Sequence, residues 1–175
     1  MSLQVGAPAP YFKGKAVMPD GEFREISLDD YKGRWLVLFF YPLDFTFVCP
    51  TEIQGYNAAF DEFQAQEADI IGASIDSEHS HKAWIEHGLG KLKFPLLSDL
   101  TKEISRRYRV LLEDAGIATR GTFIINPEGV IEAYIVTQPS IGRSVKETLR
   151  LLEAAKAAHS GEMVPCDWQP GEATL

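Results

Sequence analysis

The residue with the clearest chemical potential is Cys49. It lies in the run Tyr41-Pro42-Leu43-Asp44-Phe45-Thr46-Phe47-Val48-Cys49-Pro50-Thr51-Glu52, between an apolar stretch at 35–41 and a helical pattern beginning near Thr51. A strand thus delivers a sulfur to the mouth of a helix. First-turn amides of a helix lack internal acceptors and carry partial positive charge, so this placement favours a thiolate over a thiol. Pro50 suits a helix start, Glu52 suits its first turn, and Thr46 sets a hydroxyl one turn's spacing before the sulfur. Nucleophilic sulfur is the chemistry on offer. The plain alternative is a buried cysteine acting as a small hydrophobe.

Composition bounds the rest. A chain of 175 residues with 45% hydrophobic content can bury a substantial core and reads as one domain unit, residues 1–160, followed by an arm at 161–175. A net charge of −8 argues against a nucleic-acid groove. No apolar run approaches the roughly 20 residues that span a bilayer, and residues 1–10 lack the charged and apolar regions of a secretory signal, so the expected home is the cytoplasm. Cys49 and Cys166 match no zinc spacing, and in a reducing compartment such a pair reads as catalytic or sensing rather than as a structural staple. His79 and His81, one residue apart in a helical stretch, point in different directions and read as part of a surface helix, not a metal site.

The elements that must position Cys49 follow from periodicity. Two short strands, at 13–17 and 23–27, join through Pro19-Asp20-Gly21 as a hairpin, and one helical turn at 27–31 closes at Gly33. The continuous apolar run at 35–41 suits a central strand covered on both faces. Ile53, Tyr56, Phe60 and Phe63 recur at three- and four-residue steps and predict a helix over 51–68. A second buried strand at 69–75 and a helix at 78–86 complete a strand-helix-strand-helix run, hence a parallel sheet. Gly88-Leu89-Gly90-Lys91 reads as a turn, because Ile85 and Leu92 occupy positions that a phosphate loop gives to glycine and a hydroxyl residue. A short helix at 101–108 has Asp99 and Thr101 as competing caps. Strands at 122–126 and 130–136 flank Asn126-Pro127-Glu128-Gly129, and Ser144 caps a last helix running to His159 with Val145, Leu149 and Leu152 on its apolar stripe. The tail, with Cys166 and Trp168 among prolines and glycine, is either a docked arm or mobile.

Strands around a helix-capping cysteine describe a thioredoxin-like α/β fold: a central mixed β-sheet flanked by helices, with an N-terminal hairpin and a C-terminal extended arm. Thioredoxins place C-x-x-C at this helix start. Here Thr46 stands in the first position, which removes the local dithiol but leaves a hydroxyl beside a sulfur able to attack an oxygen. Pro42-x-x-x-Thr46-x-x-Cys49 resembles the active-site signature of the peroxiredoxins. The segment 45–52 is similar to their typical two-cysteine branch, which includes the bacterial alkyl hydroperoxide reductase peroxidase subunit. Further similar segments follow in order: Ser74-Ile75-Asp76-Ser77, Arg120-Gly121-Thr122-Phe123-Ile124-Ile125, Gly142-Arg143-Ser144-Val145, and Pro170-Gly171-Glu172-Ala173-Thr174-Leu175.

The resemblance implies a thiol peroxidase with no cofactor or metal of its own, reducing hydrogen peroxide and organic hydroperoxides. Cys49 would be the peroxidatic nucleophile, passing through a sulfenic acid. Thr46 would bind the peroxide, Pro42 would shield the sulfur, and Arg120 would hold thiolate and oxygens as a fixed cation. Glu52 and Arg143 would orient Arg120. Taken alone, Arg120 and Arg143 also read as surface arginines and Glu52 as a helix-start carboxylate. Cys166 would be the resolving thiol, forming a disulfide with Cys49 across a dimer; if it is only a tail thiol, an external resolver is needed. Relatives have Val-Cys-Pro-x-x-Trp, whereas here Pro165-Cys166-Asp167-Trp168 brings the cysteine two residues nearer the tryptophan, about 7 Å along an extended arm. His87-Gly88-Leu89-Gly90 replaces the Gly-Gly-Leu-Gly of oxidation-sensitive members and the sequence lacks their Tyr-Phe extension, which implies resistance to overoxidation. Implied partners are thioredoxin or a flavoprotein disulfide reductase and a second copy of the chain, with dimers assembling into rings of five. Phe45 and Phe47 would be interface or pocket wall. Rival readings are a peroxide sensor or holdase, and a protein disulfide oxidoreductase.

Overall fold

A computed structural model describes residues 3–175. Met1 and Ser2, which open the 1–160 unit and the stretch read against a secretory signal, lie outside the described residues. The chain forms β1 (Lys13–Val17), β2 (Phe23–Ser27), a 3-10 turn (Leu28–Tyr31), β3 (Trp35–Phe40), α1 (Cys49–Ala58), α2 (Phe60–Ala65), β4 (Ala68–Ser74) and α3 (Glu78–Trp84). After a π-helical segment (Ile85–Leu89) come β5 (Leu96–Ser98), α4 (Glu103–Arg107), β6 (Leu111–Leu112), β7 (Ile117–Ala118), β8 (Arg120–Ile125), β9 (Ile131–Thr137) and α5 (Val145–His159). The seven-stranded sheet runs β2-β1-β5-β4-β3-β8-β9. Its centre, β5-β4-β3, is parallel, and antiparallel pairs flank it on both sides, so the sheet is mixed.

All six residues of β3 are buried, and their alternation divides the core. Leu36, Leu38 and Phe40 join one apolar cluster with Ile104 and Tyr108 from the α4 region. Val37 and Phe39 join the other, beneath α1, α2 and α5, with Ile53, Tyr56, Phe63 and Leu152. Cys49 belongs to this second cluster. Close packing there has a strict requirement at Gly72, where an added Cβ would come within 2.8 Å of the Phe39 ring and 2.9 Å of Leu96.

The expected helix at 51–68 is two helices. The first begins two residues earlier, so that Cys49 is itself in the first turn, and the pattern breaks at Ala59 before α2. Residues 85–89, instead of ending a helix and turning at once, continue as a wider π-helical turn that stops at Gly90, whose φ is 87°. This segment is tied to α1: Gln54 donates to the Leu89 carbonyl at 3.2 Å, and Asn57 donates to the Lys91 carbonyl and accepts from the Lys93 amide. Asp99, not Thr101, caps α4, its carboxylate accepting from the amides of Ile104 and Ser105 at 3.0 and 2.7 Å. The tail is docked: Trp168 is buried, and Arg150 on α5 donates to its carbonyl.

Candidate active site

Burial of Cys49 follows from where α1 starts. Its side chain has no solvent exposure, and one helical turn later Glu52 is also buried, facing the same interior. A buried carboxylate needs partners. It has two arginines, each from a different part of the chain.

Arg120 opens β8, next to β3 in the sheet. Its Nη1 donates to Cys49 Sγ at 3.3 Å and to Glu52 Oε1 at 2.5 Å, while Nε donates to the Pro139 carbonyl at 2.8 Å. Three acceptors therefore fix the guanidinium, and one of them is the sulfur. Arg143, in the connection before α5, does not reach the sulfur. Its Nε and backbone amide donate to Glu52 Oε2 at 2.7 and 2.9 Å, its remaining nitrogens donate to the Gly121 and Phe40 carbonyls, and its guanidinium stacks 5.1 Å from the Phe39 ring centre. It shares the Glu52 carboxylate with Arg120. Neither arginine is a surface residue: their side chains are 4% and 5% exposed.

The loop between β3 and α1 supplies the other wall. Pro42 is buried, and Thr46 is partly buried with its hydroxyl donating to the Leu43 carbonyl at 2.9 Å. With the proton committed there, the Thr46 oxygen is left with lone pairs, an acceptor for an incoming O–H. Phe47 is 96% exposed, so it is not a pocket wall in this chain alone. Nearby, burial pushes the Tyr56 phenol above its ordinary value, partly offset by Arg143 and by the hydrogen bond to Thr148. Cys166 stands apart: it is an exposed free thiol, in a tail held by the Trp168 indole donating to the Glu172 carbonyl.

One group was misread in the sequence. His81 is not on an exposed face but wholly buried, with Nδ1 2.7 Å from Asp44 and Nε2 3.0 Å from the Leu97 carbonyl. Asp44, in the active-site loop, also accepts from the Tyr41 hydroxyl at 2.7 Å and the Ser80 hydroxyl at 2.9 Å. Burial, and then the Asp44 charge, push the Tyr41 phenol well above its usual range, so it remains a donor. The signal available in the sequence was the Tyr41-x-x-Asp44 spacing inside an otherwise apolar approach to Cys49. Among the described residues no group of acidic, histidine or cysteine side chains is arranged to hold a metal ion.

Comparison with known proteins gives the family. Residues 5–134 match the AhpC/TSA family. The chain belongs to the AhpC/TSA family. A putative peroxiredoxin in the rubredoxin operon of Clostridium pasteurianum is 49% identical over 181 aligned positions, covering 100% of both chains. A mitochondrial thioredoxin-dependent peroxide reductase of Mus musculus is 53% identical, covering 95% of this chain and 67% of its own. Among solved structures, a reduced 2-Cys peroxiredoxin of Plasmodium vivax superposes with a TM-score of 0.95 at 38% identity, over 99% of this chain and 93% of that one. AhpC of Enterococcus faecalis gives 0.86 at 37% identity, over 90% and 96%. The protein is a two-cysteine peroxiredoxin with the thioredoxin-like α/β fold, an oxidoreductase that reduces peroxides by thiol chemistry.

Proposed function

We propose that Cys49 is the peroxidatic nucleophile and Cys166 the resolving thiol. The observation that carries this is the contact of Arg120 Nη1 with Cys49 Sγ, in a guanidinium also fixed by Glu52. The Cys49 thiolate attacks the terminal oxygen of a hydroperoxide. An S–O bond forms, the O–O bond breaks, and the leaving alkoxide or hydroxide takes a proton from water, giving Cys49 sulfenic acid and an alcohol or water. Arg120 stabilises the charge passing from sulfur to oxygen, Thr46 accepts the hydrogen of the peroxide, and Pro42 keeps water off the sulfur. Glu52 and Arg143 set the angle of Arg120. The Cys166 thiol then attacks the sulfenic sulfur, forming the disulfide and releasing water.

Hydrogen peroxide and organic hydroperoxides are the substrates, and thioredoxin, named for the mouse relative, or a flavoprotein disulfide reductase restores the dithiol. The working unit is a homodimer. Support for this comes from β9, the edge strand of the sheet, paired with β8 on one side only and exposing Tyr134, Ile135 and Val136. Exposed Phe45 and Phe47 offer a second apolar contact for closing five dimers into a ring. Residues 1–160 form the folding unit on which the arm at 161–175 docks, and the setting is the cytoplasm. No described helix is long and apolar enough to cross a membrane.

Coupled peroxide consumption by wild type, Cys49→Ser and Cys166→Ser, read with non-reducing gels, tests the assignment. Cys49→Ser is inactive; Cys166→Ser completes one turnover, forms no covalent dimer and is not recycled by thioredoxin. Multiple turnovers by Cys49→Ser would remove the nucleophile from the scheme.

A further inference from the structure

Between Asp44 and Thr46, Phe45 adopts φ 58°, a left-handed conformation that L residues seldom take. The Phe45 side chain does not enforce it: the residue is 61% exposed, with its ring 5.9 Å from that of Trp84 between centres. A strained backbone persists where its surroundings over-determine it. On the Asp44 side they do. The Asp44 amide donates to Asp76 Oδ2 at 2.8 Å, the same oxygen that accepts from the Ser74 hydroxyl, and its carboxylate accepts from Tyr41, Ser80 and His81.

The proton positions on His81 follow from its neighbours. Leu97 offers a carbonyl, which can only accept, so Nε2 carries a hydrogen. Asp44 receives the Tyr41 hydroxyl on Oδ1 and the Ser80 hydroxyl on Oδ2, so its carboxylate already acts as an acceptor, and Oδ2 lies 2.7 Å from His81 Nδ1. Each ring nitrogen thus faces an acceptor.

We infer that His81 is a buried imidazolium and, with Asp44, a positioning pair for the peroxide step: it pins the loop carrying Thr46 to β5 and so sets where the Thr46 oxygen meets substrate. His81 reaches neither sulfur nor peroxide; it works through Asp44 and the strained turn at Phe45. A neutral amide cannot replace it, because one end of an amide accepts and would face either the Leu97 carbonyl or the Asp44 carboxylate. The charged groups around the ring are Asp44, in contact, and Asp76, one hydrogen bond further on; the Tyr41 phenol beside it stays neutral.

The inference rests on the assignment of Thr46 to the incoming peroxide, and the experiment separates the two. Long-range proton–nitrogen spectra of the wild-type histidines at neutral pH, assigned by elimination with His79→Gln, His87→Gln and His159→Gln, are expected to show both His81 nitrogens protonated. One unprotonated nitrogen overturns the imidazolium, and this reading needs no core variant to fold. In stopped-flow assays His81→Gln is expected to lower kcat/KM for hydrogen peroxide by roughly ten- to a hundredfold, the range for a misplaced catalytic contact, with reduction of the oxidised enzyme by dithiothreitol unchanged. Asp44→Asn is expected to behave alike and serves should His81→Gln not fold. Equal losses in both steps, or a wild-type peroxide rate, overturn the positioning role. Thr46→Val distinguishes the failures: a wild-type rate there removes the Thr46 assignment, whereas a slow Thr46→Val beside a fast His81→Gln removes only the positioning pair.

Discussion

The two sulfurs of this peroxiredoxin occupy opposite kinds of surroundings. Cys49 is fully covered, in the first turn of a helix, against a guanidinium held by a carboxylate and a carbonyl. Cys166 is exposed in a tail with no regular element, anchored two residues away by one buried indole. The contrast suits the roles proposed for them. A nucleophile that cleaves O–O gains from charge fixed before the reaction, whereas a resolver gains from reach. On the proposed scheme, a Cys49–Cys166 disulfide requires the covered sulfur of Cys49 to come out.

The largest effect should come from the fixed charge. Arg120→Gln is expected to lower the peroxide rate by roughly 10²- to 10³-fold, the scale of losing one oriented donor, while the fold survives because Glu52 keeps Arg143. A rate within threefold of wild type, by stopped flow, would erase the distinction between the two sulfurs. Next, Glu52→Gln leaves two buried guanidinium groups without their carboxylate and should cost about 3–5 kcal/mol of stability, read as a lower urea midpoint; an unchanged midpoint would mean the cluster is not structural.

These features were unequally legible in the sequence. Pro42, Thr46 and Cys49 lie within eight consecutive residues, and β3 announces itself because burial on both faces needs an unbroken apolar run. The start of α1 at Cys49 was obscured by Pro50, which as a first-turn residue suited a later start equally well. Strand β5 is three residues long beside Pro95, and β6 and β7 have two residues each; their identity comes from pairing partners far along the chain, not from local periodicity. His81 was misplaced for the same reason. Its spacing from His79 is that of a surface helix, and its burial is set by Asp44, 37 residues earlier.

Two smaller predictions sharpen the picture of the arm. Trp168→Ala should loosen it, so that Cys166 competes less well with a second peroxide and Cys49 sulfinic acid accumulates. Wild type, with His87 in place of the first glycine of the motif at 87–90, should resist millimolar-scale peroxide; mass spectrometry showing equal sulfinic acid in both would sever the anchor from resolution. Finally, Arg150 holds the Glu147 carboxyl below its usual range through a hydrogen bond and its charge. A lowered folded value contributes stability above the unfolded carboxyl value of about 4.3 and loses it as pH falls through the folded one. Since Glu147 is 42% exposed, solvent limits the effect to about 0.5 kcal/mol. Hydrogen exchange at the Trp168 indole should therefore quicken modestly below about pH 4, and a flat profile would show that the pair does not steady the arm.

Arg120 and Arg143 set two positive charges against the single negative charge of Glu52, with all three side chains nearly closed off from water. In the proposed mechanism the Cys49 thiolate is the counter-ion that balances this enclosure. Conversion to a neutral sulfenic acid withdraws that anion and strands a surplus cation where solvation is poor. On the proposed scheme, reaction with peroxide weakens the enclosure that made it possible, and the charge left behind favours opening of the first turn of α1.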